Sequence, residues 1–389
     1  MNLFKNLGAL FLSGTLLISL NACGAQDSAS DTNSNNSEIT ITDVVGRTVS
    51  FDKAPEKVIL GEGRGVFATS IVNNDNPLDK VVAMGEDLKR TAPSYYEKLE
   101  EVSPELKNTP TIGAMAKGDV TVENLISYEP DVMIITKDHY DAAKGTGMID
   151  KMEQANIKYV VTDFRQDPLN NTTKSVEIYG EVFNQKDNAK KFVDHWNKVV
   201  DGVREKTKNV TDKPDVFIWR AAGYVECCNT VSNSNLGEFV KLAGGNNLGD
   251  NLIDTEAGAI TPEKVIEQNP EYIFATGGSW APKKDKPQPA PHIALGYTSD
   301  TKKAQDSMKN LIENTPGLSE LSAPKNGKLY GAWHQFYDSP FNYLAIEQFG
   351  KWLHPDLFKD VNMNDEFKQA HEEFMPFPAS GVLFVEEAK

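Results

Sequence analysis

The chain has 389 residues, of which 39% are hydrophobic and 25% are charged, the composition of a globular protein long enough for one large or two medium domains. Its 40 basic and 56 acidic residues give a formal net charge of −16. This acidic balance argues against a nucleic-acid partner, because phosphate binding requires Lys and Arg clustered on one face.

The first 22 residues have the features of a bacterial secretory signal. Lys5 supplies a positive charge, Leu7–Leu20 is mostly apolar but short for a membrane span, and small residues precede Cys23. The ending Leu-Asn-Ala-Cys resembles the lipobox of bacterial lipoproteins, in which the cysteine becomes the lipidated first residue. We expect a signal peptide over residues 1–22 and a lipid on Cys23 that holds the chain outside the cytoplasmic membrane. The alternatives are an uncleaved anchor and a plain secretory signal with a chance cysteine.

A polar segment follows the cysteine and leads into the first predicted strands. No large apolar residue occurs between Gly24 and Glu38, so we predict a flexible tether over residues 23–38. Ile39–Val49 alternates in the manner of a β-hairpin with a turn at Gly46. The short apolar run Lys57–Leu60 then predicts a buried strand, and a helix is expected soon after it.

An internal repeat indicates the architecture. Residues 120–136 and 260–276 align without a gap at an offset of 140 residues. Each copy combines an N-cap threonine, two helical turns, a proline and a buried strand, which is half of a parallel α/β unit. Between the copies, Asn188–Thr207 places apolar residues on one face of a helix long enough to bridge two lobes.

These patterns predict an α/β fold of two lobes, each with a central, mostly parallel sheet, joined by one long helix. The first lobe is expected over residues 39–170 and the second over 213–389. The linking helical segment is expected over residues 171–212.

Several segments resemble the substrate-binding proteins of importers for iron-siderophores, haem and cobalamin. They are the entry strands Ile41–Val49 and Pro55–Ile59, the two Glu-x-[Leu/Val]-Ile-x-x-x-Pro runs of the repeat, and the Gly-Gly-Asn turn that ends Phe239–Asn247. The resemblance covers most of residues 39–380. It implies a monomeric, extracytoplasmic binding component of an ABC importer, with the ligand held between two lobes.

The same resemblance implies partners and a role for two acidic residues. A dimeric permease with its ATPase subunits would receive the ligand, and Glu123 and Glu263, one on each lobe, would meet basic residues of that permease. Both glutamates also occupy the first turn of a predicted helix, where the helix dipole favours a negative charge. That structural explanation and the docking role are compatible.

Three arginines follow predicted strands, where ligand groups lie in parallel α/β folds. They are Arg64, Arg165 and Arg220. If all three faced one cleft they would favour an anionic ligand. The alternative is that each pairs with one of the 56 acidic residues.

Aromatic residues form a second group of candidates. Trp333, His334 and Tyr337 follow a predicted strand near Gly331, and Trp280 follows the strand of the second repeat copy. Such residues suit a planar ligand, and His334 and Tyr337 could complete the coordination of a ferric complex. A lone histidine is more often structural.

Tyr224, Cys227 and Cys228 are the last candidates for the lining of the cleft, with an ordinary loop as the alternative. In an exported protein, the adjacent cysteines could form a disulfide or remain as two thiols.

The function that we expect is the capture of a ferric siderophore or a similar anionic iron(III) chelate, with no further cofactor. A molybdate-type oxyanion is second, and haem or cobalamin are further alternatives. An enzyme is not expected, since neither a Gly-x-Ser-x-Gly elbow, a phosphate loop nor a His-Glu-x-x-His motif occurs. The six histidines are scattered along the sequence, which argues against a zinc or manganese binder, because such a site needs several ligands that converge. The sequence argues only weakly against a membrane-anchored adhesion module.

Overall fold

A computed structural model of the chain describes residues 38–387, except Glu226 and residues 282–291. The predicted signal peptide, lipidated Cys23 and almost all of the tether lie outside the described residues, so they stay predictions. Within the described ranges, no helix is long and apolar enough to cross a membrane. Both large sheets belong to one compact unit, Ser37–Lys389.

Strands and helices alternate through most of the described chain, the order expected of an α/β fold. The strands are β1 (Ile39–Thr42), β2 (Thr48–Phe51), β3 (Val58–Leu60), β4 (Val81–Gly85), β5 (Thr111–Ile112), β6 (Val132–Thr136), β7 (Tyr159–Thr162), β8 (Asp215–Trp219), β9 (Asn229–Val231), β10 (Asn246–Asn247), β11 (Ala257–Ala259), β12 (Tyr272–Gly277), β13 (Leu329–Trp333) and β14 (Phe384–Glu386). The helices are α1 (Val66–Val72), α2 (Leu88–Thr91), α3 (Pro93–Val102), α4 (Val122–Ile126), α5 (Lys137–Gly145), α6 (Met148–Gln154), α7 (Pro168–Val182), α8 (Lys186–Thr207), α9 (Asn235–Leu242), α10 (Gly249–Leu252), α11 (Pro262–Gln268), α12 (Thr301–Asn314), α13 (Ser322–Lys325), α14 (Asn342–Leu353) and α15 (Met363–Phe374).

The first large sheet has the strand order β5-β4-β3-β6-β7, and all of its pairs are parallel. Strands β3 and β6 are short, mostly apolar runs, and all three residues of β3 are buried. Continuous apolar runs of this kind are typical of parallel strands covered on both faces. The hairpin of β1 and β2 forms as predicted, with Gly46 in the turn at a φ of 82°.

The second large sheet has the order β10-β8-β12-β13-β14. Its first four strands are parallel, and β14 pairs antiparallel with β13 at the edge. The predicted fold class, α/β with mostly parallel central sheets, is confirmed. The residue limits of the predicted lobes stay a prediction, although each sheet lies inside one of them.

The repeat occupies equivalent places in the two sheets. Thr121 caps α4 by accepting a hydrogen bond from the Asn124 N–H at 3.2 Å, and Thr261 caps α11 by accepting one from the Lys264 N–H at 3.3 Å. The strands that follow are β6, which lies beside β3, and β12, which lies beside β8. The loops after β3 and β8 therefore have corresponding positions in the two lobes.

The predicted bridging helix is α8, which has 22 residues. It contacts α7 and α1, which precede it in the chain, and α9 and α14, which follow it. A buried hydrogen-bond chain reinforces this contact. The Trp196 indole N–H donates to Asn342 Oδ1 at 2.7 Å, and the Asn342 side-chain amide donates to Thr172 Oγ1 at 2.7 Å. Asn342 thereby ties α8 and α7 to the start of α14.

We expect Asn342→Ala to lower the free energy of unfolding by about 1–3 kcal/mol, because Trp196 and Thr172 would lose their buried partner. Asn251→Ala, at an exposed position on α10, is the matched control and should change it by less than about 0.5 kcal/mol. Urea denaturation measures both variants. Equal stability of the two would show that the buried amide does not hold α8 in place.

Candidate functional site

The main cavity lies where the carboxyl ends of the parallel strands of the two sheets face each other. Its volume is about 280 Å³. Residues following β3 and β4 form one wall, and residues following β8, β12 and β13 form the other. The lining residues are Arg64, Arg90, Thr91, Arg220, Ala221, Tyr224, Val225, Trp280, His334, Gln335 and Tyr337.

Six of the eight predicted ligand-binding residues thus line one cavity, and two smaller cavities adjoin it. A cavity of 190 Å³ on the first lobe shares Arg64 and Arg90 with the main cavity. A cavity of 90 Å³ shares Arg220 and Tyr337 with it, and also includes Arg165. Because they share walls, the three cavities follow one cleft between the lobes.

His334 is the first residue after β13 and is buried. Its Nδ1 lies 2.8 Å from the Thr276 hydroxyl, which itself accepts a hydrogen bond from the Ala221 N–H at 2.7 Å. Burial lowers the pKa of His334 well below its ordinary value, and three nearby arginines lower it further. At neutral pH the imidazole is therefore uncharged, the form in which a ring nitrogen can bind a metal ion.

Tyr337 lies next to this imidazole, with 4.7 Å between the ring centroids. The Arg64 guanidinium donates a hydrogen bond to its hydroxyl oxygen at 2.5 Å. The guanidinium carbons of Arg64, Arg165 and Arg220 lie 5.8, 5.5 and 5.4 Å from the tyrosine ring centroid. The phenol therefore stands among three cations, which attract the negative face of its ring.

Arg64 also belongs to a buried group of ion pairs. Its Nη2 lies 2.7 Å from Glu62 Oε1, and its Nε lies 2.7 Å from Asp87 Oδ2. Asp87 reaches this position because the loops after β3 and β4 touch. A Cβ atom at Gly63 would lie 2.5 Å from the Gly85 carbonyl oxygen, so glycine at 63 permits the approach.

Arg165 joins the same group from the loop after β7. It pairs with Glu62 at 2.8 Å and with Asp138. Asp338, which follows β13 in the second sheet, accepts from both arginines: its Oδ2 lies 2.6 Å from Arg64 Nη1 and 2.5 Å from Arg165 Nη2. We call these two arginines and the carboxylates of Glu62, Asp87, Asp138 and Asp338 the ion-pair cluster.

The pKa values of the two most buried carboxyls of the cluster shift in opposite directions. Burial would raise the pKa of Glu62, but Arg165, Arg64 and His139 outweigh it and hold this pKa well below its ordinary value. Burial raises the pKa of Asp338 to about 6, against the opposing effect of the two arginines and with a contribution from Glu62. Of these two carboxyls, Asp338 is the one for which the arginines do not outweigh the effect of burial.

Arg220 and Arg90 differ from the clustered arginines. Among residues 38–225, 227–281 and 292–387, neither forms an ion pair, although both line the main cavity. Arg220 is half-buried and Arg90 is exposed. These two guanidiniums are the ones that can offer their charge to a ligand.

The two walls of the cavity meet at Thr91. Its carbonyl oxygen accepts hydrogen bonds from the Trp280 indole N–H at 3.0 Å and from the Gln335 amide at 2.8 Å. Tyr224 packs on Trp280 with 4.6 Å between the ring centroids, and extends the aromatic wall.

Trp333 was predicted as a ligand contact, and the structure contradicts this. The predicted strand ends near Gly331, but β13 continues through Trp333. The indole is 2% exposed and packs edge-on against Phe67, Tyr297 and Phe336, so it belongs to the core. Arg165 lines only the smaller 90 Å³ cavity, where its guanidinium is occupied by carboxylates.

The remaining candidates lie at the periphery. Cys227 and Cys228 are joined by a disulfide, shortly after the lining residue Val225. Glu123 and Glu263 are exposed in the first turns of α4 and α11, so they occupy equivalent positions on the two lobes.

Sequence reasoning missed Arg90, Thr91 and Gln335. A signal for the first two was present, because the apolar run Val81–Gly85 ends in a glycine and forms β4, after which they follow. Gln335 lies between the predicted candidates His334 and Tyr337. Nothing in the sequence distinguishes it from a glutamine that has only a structural role.

Comparison with known proteins supports a binding role. A family model described as "Periplasmic binding protein" matches residues 71–334. The iron(3+)-hydroxamate-binding protein YxeB of Bacillus subtilis is 22% identical over 247 residues, 62% of this chain and 66% of that protein. The haem uptake protein IsdE of Staphylococcus aureus is 30% identical over 122 residues, 31% of this chain and 40% of that protein. The chain thus matches less than two thirds of the length of either relative.

Solved structures agree on the fold. The TroA-like periplasmic binding protein FepB of Veillonella parvula superposes with a TM-score of 0.81 at 26% identity, over 90% of this chain and all of that one. The molybdate-binding protein MolA of Haemophilus influenzae gives a TM-score of 0.66 at 17% identity, over 88% of this chain and 99% of that one, which shows the fold alone. With the family model matching more than half of its length, the chain belongs to the periplasmic binding protein family.

Proposed function

We propose that this protein captures a ferric siderophore outside the cytoplasmic membrane and passes it to an ABC permease with its ATPase subunits. The observation that carries the proposal is the pairing of a neutral imidazole, His334, with the phenol of Tyr337 at the wall of the cavity between the lobes. Nitrogen and phenol oxygen are ligands for iron. Two protein donors leave the other coordination positions of iron to a chelator, so the cargo is an iron chelate.

The relatives support this class of ligand. YxeB is named for iron(3+)-hydroxamate and IsdE for haem. The cavity of 280 Å³ lies just below the range for ligand sites, about 300–1,000 Å³, and favours a compact chelate. A lipid on Cys23 and the polar segment after it would keep the binding lobes close to the membrane.

An oxyanion of the molybdate type is the second candidate. The observation in its favour is that Arg90 and Arg220, both at the cavity wall, form no ion pair among the described residues. Guanidinium groups bind planar and tetrahedral oxyanions through directed N–H groups. An oxyanion would need neither His334 nor Tyr337 as a metal ligand, so the experiment below separates the two candidates.

We expect the ligand-free protein to develop a visible phenolate-to-iron charge-transfer band when it is titrated with a ferric complex of a tetradentate chelator. Tyr337→Phe should abolish the band and weaken binding about tenfold or more, since a ligand of the metal is lost. His334→Ala should shift the band and weaken binding similarly. Absorption spectroscopy measures both effects.

Tyr330→Phe is the matched control, because Tyr330 stacks on Trp352 and lies outside the main cavity. It should leave the band and the affinity unchanged. Binding of molybdate with no response to the ferric complex would instead support the oxyanion.

We expect Arg220→Ala to weaken binding of the ferric chelate by about 1.5–3 kcal/mol, the size of a charge-assisted hydrogen bond. Calorimetry measures the change. Arg204→Ala is the control, because Arg204 lies exposed on α8 and pairs with Asp201. An affinity unaltered by the Arg220 change would remove this side chain from the ligand contacts.

The docking role of Glu123 and Glu263 is also part of the proposal. Their support is the equivalent, exposed placement on the two lobes, which would give a dimeric permease two matching charges. The pKa of Glu263 is below its ordinary value, chiefly because its own backbone N–H and the Thr261 side chain donate to the carboxylate, so it is ionised at neutral pH.

We expect the double variant Glu123→Gln/Glu263→Gln to bind ligand normally but to fail in cellular uptake, since the two docking charges are removed. A matched double variant at the exposed Glu101 and Glu313, one on each lobe, should support normal uptake. Uptake of labelled ferric chelate by cells that carry each variant measures this. Normal uptake with the Glu123/Glu263 variant would disprove the docking role.

A further inference from the structure

Two exposed isoleucines occupy equivalent positions in the two copies of the repeat. In the described part of the chain, four Val, Ile or Leu side chains are exposed: Val102 at 45%, Ile126 at 48%, Ile266 at 44% and Leu357 at 41%. Ile126 and Ile266 are 140 residues apart in the sequence, which is the offset of the repeat. Single exposed apolar residues are ordinary, but a pair at matching places of two lobes calls for a common cause.

The packing of the fold does not explain the two isoleucines. In each copy, the residue before the isoleucine is the one that enters the core: Leu125 of α4 is 0% exposed, and Val265 of α11 is 4% exposed. Residues 121–127 and 261–267 show the same order of exposed, half-buried and buried positions. The two short helices are therefore buried in the same way, and both leave the isoleucine in contact with water.

Each isoleucine shares a helix face with a candidate docking glutamate. Glu123 precedes Ile126 by three residues on α4, and Glu263 precedes Ile266 by three residues on α11. This spacing makes two side chains neighbours on the surface of a helix. Both glutamates are exposed as well. Each lobe thus presents one carboxylate beside one isoleucine, and we call these two pairs the Glu-Ile patches.

The chemistry of the Glu-Ile patches indicates the kind of surface that covers them. A carboxylate attracts a cation, and an isoleucine beside it gains free energy when it is removed from water. Two like patches suit a partner with two like halves, because each half can then make the same contact. A lipid surface fits poorly, since anionic headgroups would repel both glutamates and a chain whose net charge is −16.

We propose that Ile126 and Ile266 are apolar contacts with the two halves of the permease, and that each enters an apolar hollow beside a basic residue of the permease. Protein interfaces combine a core that is depleted of charge with a polar rim, and complementary charges provide steering and register. This inference rests on the proposed function and deepens it. The glutamates orient the complex, and the isoleucines hold it together.

The test uses Ile126→Thr/Ile266→Thr in the full-length chain, produced in cells that lack the unaltered protein. The probe is the iron-labelled ferric complex of a linear bis-hydroxamate, a tetradentate chelator. We expect its affinity for the purified variant to be unchanged, because both sites lie outside the cavities of the cleft. The initial rate of cellular uptake should fall about tenfold or more, since two side chains no longer gain from leaving water.

The dependence of uptake on salt distinguishes a lost apolar contact from displaced glutamates. Uptake by the unaltered protein should fall as the ionic strength of the uptake buffer rises, since charge pairs at an interface are screened. The isoleucine variant should be slower at every ionic strength and should keep the same proportional fall, because its glutamates remain. A variant that has lost the salt dependence along with uptake would act through the glutamates, which overturns the inference.

Val102→Thr/Leu357→Thr is the matched control. It removes exposed apolar surface at the other two positions, one on each side of α8 in the chain, and should leave uptake normal. Ile126→Leu/Ile266→Leu keeps the apolar surface and should retain most of the uptake.

The remaining outcomes are also decisive. Normal uptake with Ile126→Thr/Ile266→Thr overturns the inference and leaves the proposed function intact. An unaltered protein that neither binds the bis-hydroxamate complex nor supports its uptake overturns the proposed function and the inference with it. A dimer of the unaltered protein in sedimentation, dissociated by the isoleucine substitutions, would assign the Glu-Ile patches to contacts between copies of this chain and overturn the inference. Should the double variant not fold, the two single variants decide in the same way.

Discussion

The arrangement of the cleft depends on the buried ion pairs that Asp338 forms with Arg64 and Arg165. Removing charged groups from water is costly, and the cost is recovered only where several partners meet in good geometry. Here the partners come from both sheets, so the favourable geometry exists only when the end of β13 lies against the loops after β3 and β7. The same contact therefore joins elements that form the two walls of the cavity.

The two arginines at equivalent positions of the two lobes differ in their ion-pair partners. Arg64 follows β3 and Arg220 follows β8, in corresponding loops of the two sheets. In the first lobe, the close approach at Gly63 brings Asp87 to Arg64, and the guanidinium becomes part of the ion-pair cluster. In the second lobe, Arg220 forms no ion pair with the described residues and lies over the ring of Tyr337. One arginine thus organises the site, and the other is available to a ligand.

The features of the fold that depend on local sequence patterns could be predicted from the sequence alone. Helix α8 follows from its apolar spacing, and the two α/β units follow from the repeat, because helix and strand periodicities are local. The end of a strand is less certain: β13 runs two residues beyond the expected Gly331, and this places Trp333 in the core. The pairing of Arg64 with Asp338 could not be predicted, since the residues are far apart in the chain and 56 acidic residues were candidates.

The three arginines near His334 also bear on its proposed role as a metal ligand. Burial and the positive charges keep His334 unprotonated, so a ring nitrogen is available at neutral pH. The same positive charges alone would attract anions into the cleft. The carboxylates of the cluster offset that attraction, while Arg64 still donates to the phenol oxygen of Tyr337. An uncharged imidazole and arginines with carboxylate partners therefore exist beside one cavity.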